Sequence, residues 1–176
     1  SDFTIFGTKS KIIMIKKLYE NSTTLDKLGF SVTVGNVVWN QCKKILTEDK
    51  KETLLIYSSD IKNKKLSIKQ YSNEKKKNYI KMKGCSEPLL VINRGYGVGS
   101  YKFNYCIINE QDSIEYLIEN HLICIKYTKP ISKETLIEMY KKIITSFKDK
   151  KTLKFIDTYF GNSAINTTEL CKILPI

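Results

Sequence analysis

The chain is poor in the residues from which catalytic and metal centres are usually built. It has one histidine, and Arg94 is the only arginine among 30 basic residues. A single histidine excludes a histidine pair. The five cysteines (Cys42, Cys85, Cys106, Cys124 and Cys171) are odd in number and never spaced Cys-x-x-Cys, so no zinc site is expected. Their scatter reads as reduced thiols in an intracellular protein. No apolar run approaches the roughly 18 residues of a membrane span, and no signal peptide is recognisable. Of the three prolines, Pro88, Pro130 and Pro175, none follows an asparagine. The sequence opens Ser-Asp-Phe without a methionine, which reads as a piece of something longer, with residues 1–24 as a helical segment or linker from a missing domain.

What is abundant is lysine. Thirty basic residues face 18 acidic ones, for a formal net charge of +12. Such an excess favours a polyanionic partner, nucleic acid first. The lysine bias, with many isoleucines and asparagines, also points to a low-GC bacterial or viral genome, and with the scattered thiols the expected location is the cytoplasm. At 176 residues and 41% hydrophobic content, the chain can bury one substantial core.

The periodicity divides the chain in two. Residues 11–20 read as a short helix. Phe30, Val32 and Val34 alternate with Ser31 and Thr33 as a half-buried strand, Gly35-Asn36 breaks it, and Val37–Trp39 resumes the apolar pattern. Strands are expected at 53–57, 66–71, 88–93, 101–107 and 119–127. After Pro130 the period becomes helical. Ser132 can cap a helix placing Leu136, Tyr140, Ile143 and Phe147 on one face, with Glu138 and Lys142 paired on the other. A second helix would gather Leu153, Ile156 and Phe160 and stop at Gly161. A third would start at Asn166, with Glu169 completing a capping box. The expected fold is α+β: a β-rich block of about six to eight mixed or antiparallel strands, then about three C-terminal helices.

Three segments carry possible recognition chemistry. Pro88–Asn93 runs into Arg94 and the glycine-rich Gly95–Gly99, followed by Tyr101 and Lys102. The spacing is G-x-G-x-G, not G-x-G-x-x-G, and the next residues alternate with period two, so a hairpin tip is expected instead of a nucleotide loop. An arginine fork there pairs bidentately with phosphate or a guanine edge. The stretch 62–83 carries nine lysines and one acid, Glu74, with Tyr71 and Tyr79 interleaved; such lysines neutralise phosphates. Trp39 precedes Asn40, Gln41, Lys43 and Lys44, amides and ammoniums able to read adenine or hold phosphate. His121 reads as a structural histidine on an apolar strand. Asp112, Glu115 and Glu119 are a conceivable carboxylate group, in a setting that reads as solvated loop.

In order along the chain, Leu28–Asn40, Leu54–Ile61, Pro88–Gly95, Glu119–Ile125, Phe160–Leu170 and Leu174–Ile176 resemble the C-terminal target-recognition domain of TaqI-like and Eco57I-like adenine-specific DNA methyltransferases. They resemble type I restriction specificity subunits more distantly. The family's domain opens on a G-x-x-W strand region, here sought within Leu28–Asn40 with its Trp39. It closes on helices and a Gly-Asn … Leu-Pro-Ile segment, here Gly161, Asn162 and Leu174–Ile176. The resemblance covers most of 25–176 and rests on the order of segments. It implies a non-catalytic module gripping duplex DNA through major groove and phosphates, beside a catalytic domain of the same protein. That domain would bind S-adenosylmethionine, flip an adenine and methylate its amine. Its Asn-Pro-Pro-Tyr motif is absent here, and no cofactor is expected in this chain. The contact residues this reading points to are Asn40, Gln41, Lys43, Lys44, Ser58, Ser59, Arg94, Tyr96, Lys102, Asn162 and Ser163. A small nucleic-acid-processing enzyme and a basic protein-interaction domain, the latter docking through helix 132–147, remain alternatives.

Overall fold

A computed structural model describes residues 8–94, 104–109, 114–156 and 166–176. Two four-stranded sheets stack face to face, and the C-terminal helices cover the outer face of the first. The first sheet has the order β1 (Phe30–Val34), β10 (Leu122–Tyr127), β7 (Leu89–Asn93), β8 (Tyr105–Ile108), antiparallel throughout. The second has the order β2 (Leu46–Thr47), β6 (Tyr79–Ile80), β3 (Thr53–Ile56), β9 (Tyr116–Ile118), with β3 and β9 parallel. A hairpin of β4 (Ile61–Lys62) and β5 (Lys65–Leu66) stands apart from both. The fold is α+β, as the periodicity predicts, with ten strands among the described residues.

Layering explains why several strands are apolar on every residue. In β7, Leu90 and Ile92 face the helices, while Leu89 and Val91 face the second sheet. In β3, Leu54 and Ile56 face the first sheet, and Leu55 packs outward with Val37, Leu117 and Ile80 under a cover containing Trp39 and Tyr71. A strand buried on both faces loses the alternation of a half-buried one.

The helical tail follows its pattern closely. In α2 (Lys133–Phe147), Ser132 Oγ accepts from the Thr135 amide at 3.2 Å, and Leu136, Tyr140, Ile143 and Phe147 are buried. Tyr140 donates its hydroxyl to Ile125 O at 2.8 Å, satisfying its one polar group. The apolar face of α2 is therefore taken up by this core, which removes it as a docking surface. Glu138 pairs with Lys141 at 3.4 Å instead of Lys142. In α3 (Lys150–Phe155), Asp149 caps the helix, and Thr152 and Phe155 are buried; of the expected face, Ile156 is buried in the core while Leu153 is exposed. Phe160 and Gly161 lie outside the described residues. Asn166 caps α4 (Thr167–Lys172), accepting from the Thr168 amide. At the other end, α1 (Lys9–Tyr19) sets Tyr19 edge-on to Phe155 with centroids 6.0 Å apart, and Thr23 and Ile176 exchange backbone hydrogen bonds.

Two expected strands are shorter than predicted. Val37–Trp39 forms only an isolated bridge from Val37 to Glu119 before turning. The 66–71 strand stops at Leu66, because the Ser67 and Lys69 amides bond to Asp60 and not to a partner strand.

Cys106 and Cys124 sit on the inner face of the first sheet, and burial pushes both thiols up to about 12. An unfolded thiol ionises near 8.5. Between these values the native chain holds more protons than the unfolded one, so stability falls as pH rises through this window. Each thiol is expected to contribute a slope of about 1.4 kcal/mol per pH unit above roughly pH 9. Urea unfolding across this range should show the loss, reduced in a Cys106→Ala/Cys124→Ala variant; an unchanged slope would contradict it.

Candidate nucleic-acid interface

Four strand ends meet at one edge of the two sheets. β1, β3, β7 and β9 end at Val34, Ile56, Asn93 and Ile118, and the chain continues into Gly35, Tyr57, Arg94 and Glu119. Pairing fixes their proximity: Ile56 is in register with Ile118, Val34 with Ile123, and Asn93 with Leu122. The turn from β9 to β10 crosses between the sheets here. Gly35 N donates to Leu122 O at 2.9 Å, Glu119 N to Ile56 O at 3.0 Å, and Asn120 N to Val37 O at 2.9 Å.

Glu119 is only 2% exposed, yet its carboxylate is satisfied locally. It accepts from the His121 amide at 3.0 Å and faces the ring Nδ1 at 2.8 Å. A carboxylate only accepts, so Nδ1 carries the hydrogen. His121 thus sits in the turn, not on the strand. Arg94 is half-buried beside it and donates from Nη1 to Asn120 O at 3.4 Å. Arg94 therefore spans the first sheet's hairpin and the crossover turn.

Asp60 is fully buried in a short turn after β3. Its carboxylate accepts from the Tyr57 amide, the Lys69 amide and the Tyr71 hydroxyl, each at 2.9 Å. Ser59 shares the Tyr71 hydroxyl at 2.8 Å. These bonds fasten the lysine-rich segment onto the end of β3. Above them the Tyr57 and Tyr71 rings meet at 4.9 Å, and the Lys76 ammonium lies 4.3 Å and 4.1 Å from their centroids. Lys76 also stands 5.8 Å from the Trp39 ring, which receives Lys43 at 5.4 Å. The ring faces attract the cations. Burial lowers the Lys76 pKa, against the fields of Glu119 and Asp60, which raise it. Burial likewise pushes the Tyr57 and Tyr71 phenols upward, so both remain neutral hydroxyl donors at neutral pH.

From this cluster an open groove of about 1530 Å³ runs along the second sheet. Lys50, Lys51, Lys69, Lys76, Lys77, Lys81 and Lys83 line it, against Glu48, Glu52 and Glu115. Lys77 and Glu48 form an ion pair at 3.5 Å. The rest of the lysine array is an excess of one sign along a concave wall, which concentrates anions.

The sequence candidates divide accordingly. Asn40, Gln41, Lys43 and Lys44 are exposed on the segment that carries Trp39, and Ser58 and Ser59 are half-buried in the Asp60 turn. With Arg94 they lie on segments that leave the strand-end edge, and none lines the groove. Tyr96, Lys102, Asn162 and Ser163 lie outside the described residues, as does Asp112. Glu115 precedes β9 and Glu119 follows it, so these two carboxylates stand at opposite ends of a strand and form no group. Among the described residues, no three His, Cys, Asp or Glu side chains converge as metal ligands do. The strand before the glycine-rich turn pairs antiparallel with β8, as a hairpin does. Sequence reasoning missed Lys50, Lys51, Tyr57, Asp60 and the ring cluster around Lys76, which are separated along the chain and joined only by the fold.

The chain matches no family model and no curated protein.

Proposed function

We propose that this chain is a non-catalytic DNA-recognition domain of an adenine-specific DNA methyltransferase, with S-adenosylmethionine and the chemistry carried by another domain of the same protein. The observation that carries the reading is the lysine-lined groove that runs along the second sheet from the cluster of Lys76 with Tyr71. The groove supplies sequence-independent attraction to phosphates. The edge supplies amides and an arginine, the side chains that read adenine and guanine edges. The order of segments that resembles target-recognition domains supports the methyltransferase assignment.

The test is duplex binding at several salt concentrations, with selection from a randomised duplex pool. Binding should weaken steeply with salt, and one short motif should be enriched. A Lys69→Gln/Lys81→Gln/Lys83→Gln variant should bind all sequences more weakly, and its log–log salt slope should fall by about 0.9 for each phosphate no longer neutralised. Absence of duplex binding at low salt would sink the reading; salt-sensitive binding without enrichment would reduce it to a general DNA grip.

A further inference from the structure

We infer that the β4–β5 hairpin is a second DNA-contacting element, with Lys62, Lys64 and Lys65 holding phosphates and Asn63 reading a base edge. This rests on the DNA-recognition reading above and adds an element that sequence periodicity does not show.

The hairpin is built for projection. Lys62 pairs with Lys65 across a two-residue turn in which Asn63 and Lys64 have φ of 51° and 62°. Two positive φ values match the right-handed twist of a tight hairpin. Asparagine tolerates that conformation well, whereas glycine would be the cheaper residue at Lys64. Ile61 is buried and Leu66 half-buried on the inner face, so their neighbours Lys62 and Lys65 point outward. All four residues from Lys62 to Lys65 are exposed.

The charge arrangement calls for an anion. Lys62 and Lys65 are direct cross-strand partners, and like charges placed so repel. The Lys64 ammonium, turned back over the Tyr105 ring, adds a third positive charge beside them. Among the described residues no carboxylate forms an ion pair with any of the three. A phosphate oxygen near the tip relieves that repulsion without reorganising the backbone.

The ribbon is also held rigidly toward the proposed interface. Asn104 donates from Nδ2 to Ile61 O at 2.9 Å and accepts from the Lys64 amide at 3.2 Å. Lys64 Nζ lies 5.4 Å over the Tyr105 ring. Asn104 N in turn bonds to Asn93 Oδ1 at 2.8 Å, beside Arg94. The hairpin is thus moored to the base of the β7–β8 hairpin. A two-stranded ribbon fits the major groove, and an asparagine amide pairs bidentately with adenine N6 and N7.

The experiment compares the whole chain as wild type, Asn63→Gly and Lys62→Ala/Lys65→Ala, by duplex selection and salt titration, with circular dichroism as the control for folding. Glycine accepts the φ at position 63, so the turn persists. Asn63→Gly should keep the salt slope and lose about tenfold or more of the preference for the selected motif. The double lysine variant should keep the motif and lower the slope by about 1.8. If wild type selects a motif and both variants match it in preference and slope, the hairpin role is overturned while the DNA reading stands. If wild type binds no duplex, both fall together.

Discussion

Replacing Gly35 with alanine is expected to destabilise the protein by about 3 kcal/mol, the upper range for forcing atoms into a packed site. A Cβ at this position would lie 2.3 Å from Glu119 O and 2.4 Å from Ile118 O. Both obstacles are backbone, so neither can rotate aside. The φ of Gly35 lies outside the left-handed region, so space alone demands glycine here. The displaced carbonyls belong to the turn that crosses from the second sheet to the first, and Val37 N depends on Ile118 O at 3.2 Å. Gly29 provides the contrast. Its φ is +88°, but the three atoms nearest a Cβ there all belong to the Tyr127 ring, the first at 3.1 Å. Gly29→Ala should therefore cost about 1 kcal/mol, from the backbone conformation. Urea denaturation of the two variants side by side measures the difference, and equal losses would show that the crossover tolerates displacement.

The turn at Gly35 also marks how far the sequence could be read. Gly35-Asn36 is legible as a break, but that the break is a close approach to the end of β9, at Ile118 and Glu119, is not. Elements with a one-sided period were legible, α2 with its Ser132 cap and β1 with its alternation, and β3 and β7 were legible as continuous apolar runs. Two-residue strands such as β2 and β6 have no period to detect, since pairing across the sheet defines them. The 66–71 segment alternates like a strand, yet Asp60 captures its amides first. The site followed the same division. Trp39 and the lysine-rich stretch were visible as chemistry, but the meeting of Trp39, Tyr57, Tyr71 and Lys76 depends on packing between residues far apart in sequence. Local pattern carries no information about such meetings.

Asp60 is where a single substitution should undo that cluster. Asp60→Ala leaves the Tyr57 and Lys69 amides without their acceptor and the Tyr71 hydroxyl with Ser59 Oγ alone. Each orphaned donor costs on the order of 1–3 kcal/mol where water cannot replace the carboxylate. Tyr57 is 1% exposed, so its amide bears the full loss, whereas Lys69 is exposed and recovers part of it from solvent. A total of about 4 kcal/mol follows. Asp60→Asn keeps one acceptor oxygen but turns an NH₂ group toward a donor, and should cost about 2 kcal/mol. Both variants retain every lysine. The segment that carries Lys69 and Lys76 should nevertheless loosen, releasing the Lys76 ammonium from the rings. Trp39 is the only tryptophan and sits at the border of this cluster, so its fluorescence reports the change directly. Red-shifted Trp39 emission below the global unfolding transition, with a lower duplex affinity at unchanged net lysine count, is the expected result for Asp60→Ala. Native emission together with unaltered affinity would mean that the lysine wall stands without its buried carboxylate.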